Sequence, residues 1–179
     1  MSRGDVKDMK IDLIAELKTT KDFMEAYKNG DEKKVYEGKS LIFFSLANTN
    51  LSSRYEISNF LMEHNVDLQS ESDKHETVLH VLLGQSQHDV HKTCELCKWF
   101  IEKGVDINAK DRMGQTAIQY ITRMNKSDDE LIKLYDVWFA EPNLNLETKD
   151  NMGYSPLEYA EQFPYRVALV ERMKKYERR

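Results

Sequence analysis

The chain has 179 residues, 40% hydrophobic and 32% charged, with a formal net charge of −5, which suits one ordered domain large enough to bury a core. The acidic excess works against nucleic acid, because phosphate binding needs a concentrated positive surface, and it steers towards a basic protein partner instead. Two cysteines make no disulfide framework and fit the cytoplasm, while the charged start of the chain does not read as a secretory signal and no apolar run is long enough for a bilayer.

In chain order, residues 5–29 read as two short amphipathic helices, with Ile11, Leu13, Ile14 and Leu17 on the apolar side of one. Phe23, Met24 and Tyr27 form that side of the other, and Gly30 stops it. Ser40 then opens a helix, as do Thr77, Thr116 and Ser155 further on, spaced 37, 39 and 39 positions apart. Each is a hydroxyl residue suited to an N-cap. Thr116–Gln119 and Ser155–Glu158 carry capping boxes, the second with Pro156 at the first helical position. A second helix follows each start, apolar at Ile57, Phe60, Leu61 and Met62, then at Leu96, Cys97, Phe100 and Ile101. The third opens with the capping box Ser127–Glu130 and runs through Leu131, Leu134, Tyr135, Trp138 and Phe139. Asn65, Gly104 and Asn143 read as the stops, being residues that tolerate the left-handed conformation past a helix end. Asp111–Gly114 and Asp150–Gly153 have turn chemistry.

These marks share one register. Residues 102–118 align without a gap to 141–157, and a weaker copy begins at Glu63, each step being 39 positions. A helix pair of this size cannot bury its apolar side alone, so neighbours must stack. The predicted organisation is one domain over 1–179, with an N-terminal helical cap at 5–37 and repeats at 38–75, 76–114 and 115–153. A truncated capping repeat fills 154–179 and ends in Lys174, Lys175, Arg178 and Arg179. Positive charge there suits a helix C-terminus; the alternative is a docking patch for acidic partners.

Thr77-Val78-Leu79-His80, Ser155-Pro156-Leu157-Glu158 and Gly104-Val105-Asp106-Ile107-Asn108 resemble the motifs of ankyrin repeats, over roughly residues 38–176. The resemblance implies an all-α solenoid of stacked helix–turn–helix units with short β-hairpin-like turns, capped at both ends. In that family the threonine and histidine brace neighbouring turns, which implies the same for Thr77 and His80. The period departs from the family's 33 residues, and the extra length lies between the two helices. Leu41, Val78 and Ala117 stand where the family has proline.

One constellation could hold a metal: His88, His91, Cys94 and Cys97, all zinc-ligand types. Steps of three on a helix drift by about 60°, so the four meet only if the histidines lie in a loop. Core packing of Cys97 is the expected reading, and zinc at this segment is the alternative function. No Gly-x-Ser-x-Gly elbow or phosphate-cradling loop is present, so no enzyme and no cofactor are expected.

Ankyrin domains bind with their turn tips and the exposed side of the first helix, a concave face. By register the resemblance places Asp73, Lys74 and Glu76, then Arg112, Met113 and Gln115, then Asn151, Met152 and Tyr154 on the tips. Gln85, Arg123 and Met124 fall on the first-helix side, with Asn48, Gln162 and Phe163. Met, Tyr and Arg are enriched at interfaces. The expected function is a monomeric, non-enzymatic protein-interaction module, acting as a scaffold, inhibitor or immunity-type protein.

Overall fold

The computed structural model describes residues 9–178. Residues 5–8 of the expected cap and Arg179 of the terminal basic cluster lie outside the described residues. The chain is mostly helical, with ten α-helices and one short strand pair among the described residues. None of these helices is long and apolar enough to cross a membrane. The chain divides into two compact units, Met1–Asp73 and Lys74–Arg179.

In the first unit, α1 (Ile11–Leu17) and α2 (Thr20–Ala26) form one helix pair, and α3 (Leu41–Leu46) and α4 (Leu51–Glu63) the next. Helix α1 packs on α3, and α2 on α4. Between the pairs stands a hairpin of β1 (Val35–Tyr36) and β2 (Lys39–Ser40), with Val35 opposite Ser40 and Tyr36 opposite Lys39. Its two turn residues, Glu37 and Gly38, have φ of 47° and 77°, as a two-residue hairpin with the twist of its strands requires. Helix α2 starts on a capping box of Thr19 and Asp22, and α4 on Asn50, whose side chain accepts from the Ser53 amide.

The expected apolar face of the N-terminal pair is partly corrected. Ile14, Ala15 and Phe23 are buried, but Leu17 is 60% exposed, and Leu13 and Met24 are also exposed. Seven-residue helices offer one narrow inward stripe, and the side of α1 turned from α2 and α3 leaves Leu13 and Leu17 outside. Asn48 is corrected as well. It is buried, and its amide donates to the Ala15 and Lys18 carbonyls at 2.8 and 2.9 Å, so it ties α1 to the α3–α4 connection instead of facing a partner.

The second unit holds three helix pairs: α5 (Val78–Leu83) with α6 (Val90–Glu102), α7 (Ala117–Thr122) with α8 (Asp128–Phe139), and α9 (Pro156–Glu161) with α10 (Val167–Tyr176). The short helices form one row, α5 on α7 on α9, and the long helices another, α6 on α8 on α10. Ile118, Ile121, Leu134, Tyr135 and Trp138 fill the space between the rows at 1% exposure or less. Full burial of such a side chain contributes roughly 1.5–3 kcal/mol. The starts follow the expectation: Thr77, Thr116, Ser127 and Ser155 are all N-caps. The short helices have six residues each, whereas α6 has 13 and α8 has 12. The extra repeat length therefore lies in the long second helices and the connections 84–89 and 123–127.

Gly104 has a φ of 85° and Asn65 of 55°, as helix stops should. Asn143 does not adopt a positive φ, which corrects its expected role. Helix α8 ends at Phe139 with Ala140 as its cap, because Pro142 disfavours the helical conformation at Glu141 before Asn143 is reached.

Candidate functional site

The site is built from two successive turn tips of the second unit and the short helices that follow them. Each tip is folded around an aspartate. Asp111 Oδ1 accepts from the Met113 and Gln115 amides, both at 2.8 Å, and Oδ2 accepts from the Tyr120 hydroxyl at 2.6 Å. Asp150 repeats this: Oδ1 accepts from the Met152 and Tyr154 amides at 2.9 and 3.0 Å. Its Oδ2 takes the Gln119 amide at 3.0 Å and the Gln115 amide at 3.4 Å. Burial pushes the Asp150 carboxyl up, but the Tyr154 and Met152 amides with Gln115 and Gln119 outweigh it, and the net result is below the usual range. For Tyr120, burial and then the Asp111 carboxylate push the phenol well above its ordinary value.

Successive tips are tied to each other through their backbones. The Arg112 amide donates to the Lys74 carbonyl at 2.7 Å, and the Asn151 amide to the Met113 carbonyl at 2.9 Å. Asn151 Nδ2 adds a bond to the Arg112 carbonyl, and Lys110 Nζ one to the Lys149 carbonyl. His80 Nδ1 accepts from the Thr77 amide at 3.2 Å, so Nε2 carries the proton and donates to the Gln115 carbonyl at 3.1 Å. The bracing expected of Thr77 and His80 is thus present in the hydrogen bonds.

Outward from this scaffold stand Met113 and Met152, 52% and 71% exposed, with Tyr154 beside them. On the first-helix side the Arg123 guanidinium lies 4.5 Å from the Tyr120 ring centre and 5.8 Å from that of Tyr159. Its Nη1 donates to Gln115 Oε1 at 2.7 Å and to the Tyr159 hydroxyl at 3.3 Å. Aromatic contacts continue from Tyr159 to Phe163 at 5.3 Å and on to Tyr165 at 5.7 Å. Gln115 links the two parts, since its backbone belongs to the tip and its side chain holds Arg123.

Of the residues expected here, Lys74, Arg112, Met113, Arg123, Asn151, Met152 and Tyr154 are exposed. Glu76, Gln85 and Gln115 are half-buried, and the Gln85 amide donates to the Val81 carbonyl. Asp73 is exposed at the end of the first unit. Met124 is a correction. It is 5% exposed, because the chain turns after Thr122 and the apolar side chain is drawn into the core. Three residues of the face went unpredicted: Tyr120, Tyr159 and Tyr165. Tyr120 and Tyr159 are 39 positions apart, so the repeat alignment held the signal. Arg123 and Gln162 share the same register.

The His/Cys segment is not gathered into a site. His88 is buried, with Nε2 on the Gln85 carbonyl at 2.8 Å and Nδ1 beside the Thr93 hydroxyl at 3.4 Å. His91 is exposed next to Glu95. Burial raises the Cys94 thiol to about 11 and the fully buried Cys97 thiol well above its ordinary value, so neither presents a thiolate. No group of three or more His, Cys, Asp or Glu among the described residues is arranged to hold a metal ion.

No protein-family model and no curated protein matches the chain. Among solved structures the chain is similar to a functionally unknown protein from Leptotrichia buccalis C-1013-b, with a TM-score of 0.82 and 27% identity over 94% of this chain and 93% of that one.

Proposed function

We propose that this chain is an ankyrin-type repeat protein, a solenoid of stacked helix pairs, that binds a protein partner and catalyses no reaction. The partner docks on the tips and first-helix side of the second unit. One observation carries this reading: Met113, Met152 and Tyr154 stand exposed on tips whose backbone amides are all bonded within the chain. Apolar side chains on a scaffold this well determined gain nothing for folding by being there, and a partner that covers them gains their burial. The adjoining Arg123–Tyr120–Tyr159 cluster adds the residue types that dominate binding energy at interfaces. The protein acts as a cytoplasmic monomer, by occlusion or scaffolding, in the manner of an inhibitor or immunity-type protein.

The test is affinity capture with the full chain against a variant carrying Met113→Ala, Met152→Ala and Tyr154→Ala. All three side chains are exposed, so the variant retains its helical content. Partner capture is expected to fall at least tenfold, in line with the loss of a central anchor cluster. Undiminished capture by the folded variant sinks the reading. Zinc at the 88–97 segment remains the lesser alternative, and one equivalent of zinc retained per chain after dialysis would revive it.

A further inference from the structure

The whole-chain charge is −5, yet two exposed charges on the proposed binding face, Arg112 and Arg123, have the opposite sign. The carboxylates of the two tips are buried and turned inward. Both oxygens of Asp111 and of Asp150 accept the bonds that build the tips. Glu158 accepts the Ser155 amide and pairs with Lys149 at 3.3 Å. Arg112 and Arg123 are exposed, and neither has a carboxylate partner among the described residues.

Arg123 is the more specific of the two. A guanidinium has five N–H donors in a planar fork. Among the described residues only Nη1 is used, for Gln115 and Tyr159. The Nε and Nη2 edge donates to no described group, and that edge matches the two oxygens of a carboxylate. Tyr120, Tyr159 and Gln115 already hold the group in place, so little side-chain freedom remains to be lost on binding. Phe163 adjoins Tyr159, and Met113, Met152 and Tyr154 stand exposed on the tips, so the face offers contact for apolar side chains. Two unpaired arginines are too few for a nucleic-acid backbone, whose binding scales with the number of phosphates neutralised.

We propose, building on the binding surface above, that the partner presents an acidic peptide segment with interspersed apolar residues, and that Arg123 receives one of its carboxylates edge-on between Tyr120 and Tyr159. The expectation of a basic partner came from the total charge; the local face selects the opposite.

Panning the full chain against a random peptide display library tests this. The wild-type protein should enrich acidic sequences containing apolar residues. A synthetic peptide of the selected sequence should bind about tenfold more weakly, or worse, to Arg123→Gln. Arg123→Lys, which keeps the charge and loses the fork, should rescue little of that loss. Enrichment of basic peptides whose binding is lost in the Met113, Met152 and Tyr154 triple variant would overturn the acidic partner and leave the surface standing. Selected peptides that bind the triple variant at full strength, or no enrichment at all, would overturn both. A single-stranded DNA oligonucleotide that binds more tightly than the selected peptide and is lost in Arg123→Gln would reassign the guanidinium to phosphate.

Discussion

Single positions carry unequal burdens in this fold. Gly114 and Gly153 occupy equivalent tip positions with φ of 74° and 85°, but a Cβ on Gly114 would meet Asn151 Oδ1 at 2.9 Å and the Asn151 backbone nitrogen at 3.1 Å. A Cβ on Gly153 would meet nothing within 4 Å. Gly153→Ala should therefore cost about 1 kcal/mol, the strain of a left-handed alanine. Gly114→Ala adds a collision with the next tip and should cost about 2 kcal/mol or more. Guanidinium denaturation of the two variants checks the difference. Arg166 is a second such position. It is fully buried, and its guanidinium donates to the Thr122, Lys126 and Met124 carbonyls, closing the α7–α8 connection. Arg166→Met keeps the apolar stem, strips three carbonyls of their donor and removes the ion pair with Asp128, so a loss of about 2–4 kcal/mol is expected in the same measurement. Nothing in the sequence singled out Arg166. A lone arginine before a helix reads as surface, and its partners, three backbone carbonyls and the Asp128 carboxylate, are all distant in sequence.

At the level of the element, the tips behave as units assembled around a carboxylate. Asp150 has its folded-state value lowered, so its contribution to stability is fully present above the ordinary carboxylate range near 3.8 and is lost as pH falls through the depressed folded value. Asp150→Asn should weaken the protein at neutral pH and flatten its stability curve below the ordinary carboxylate value of 3.8. Thermal unfolding across that range reads both effects, and an unchanged acid limb would show that Asp150 is not the group responsible. Helix starts were legible in sequence because their chemistry is local: Ser155, Pro156 and Glu158 define a cap within four residues. The end of α8 was not, because register argued for Asn143 while Pro142, one residue earlier, had already settled the backbone. Exposure on α1 was not legible either, since a seven-residue helix has too few positions to show which of its apolar residues faces a neighbour.

In the second unit each helix pair packs chiefly on its neighbours along the chain, so disturbance should spread by adjacency. Met173 is fully buried in α10, and Met173→Ala should speed amide exchange first in α10, then in α8, and last in α5. Uniform acceleration across the unit would contradict that order. The binding face was half legible. Its tip residues followed from register, but the aromatic cradle of Arg123 joins residues of α7 and α9 that only stacking brings together. The backbone bonds between tips have one more implication. They set the distance from Arg112 to Asn151 in space, while the residues that lengthen each repeat lie outside the tips, in the connections and the long helices. Chain length and the spacing of the tips are thereby uncoupled, so residues can be inserted at 86–87, beyond the face residue Gln85, without shifting the lattice of tip side chains that a partner reads.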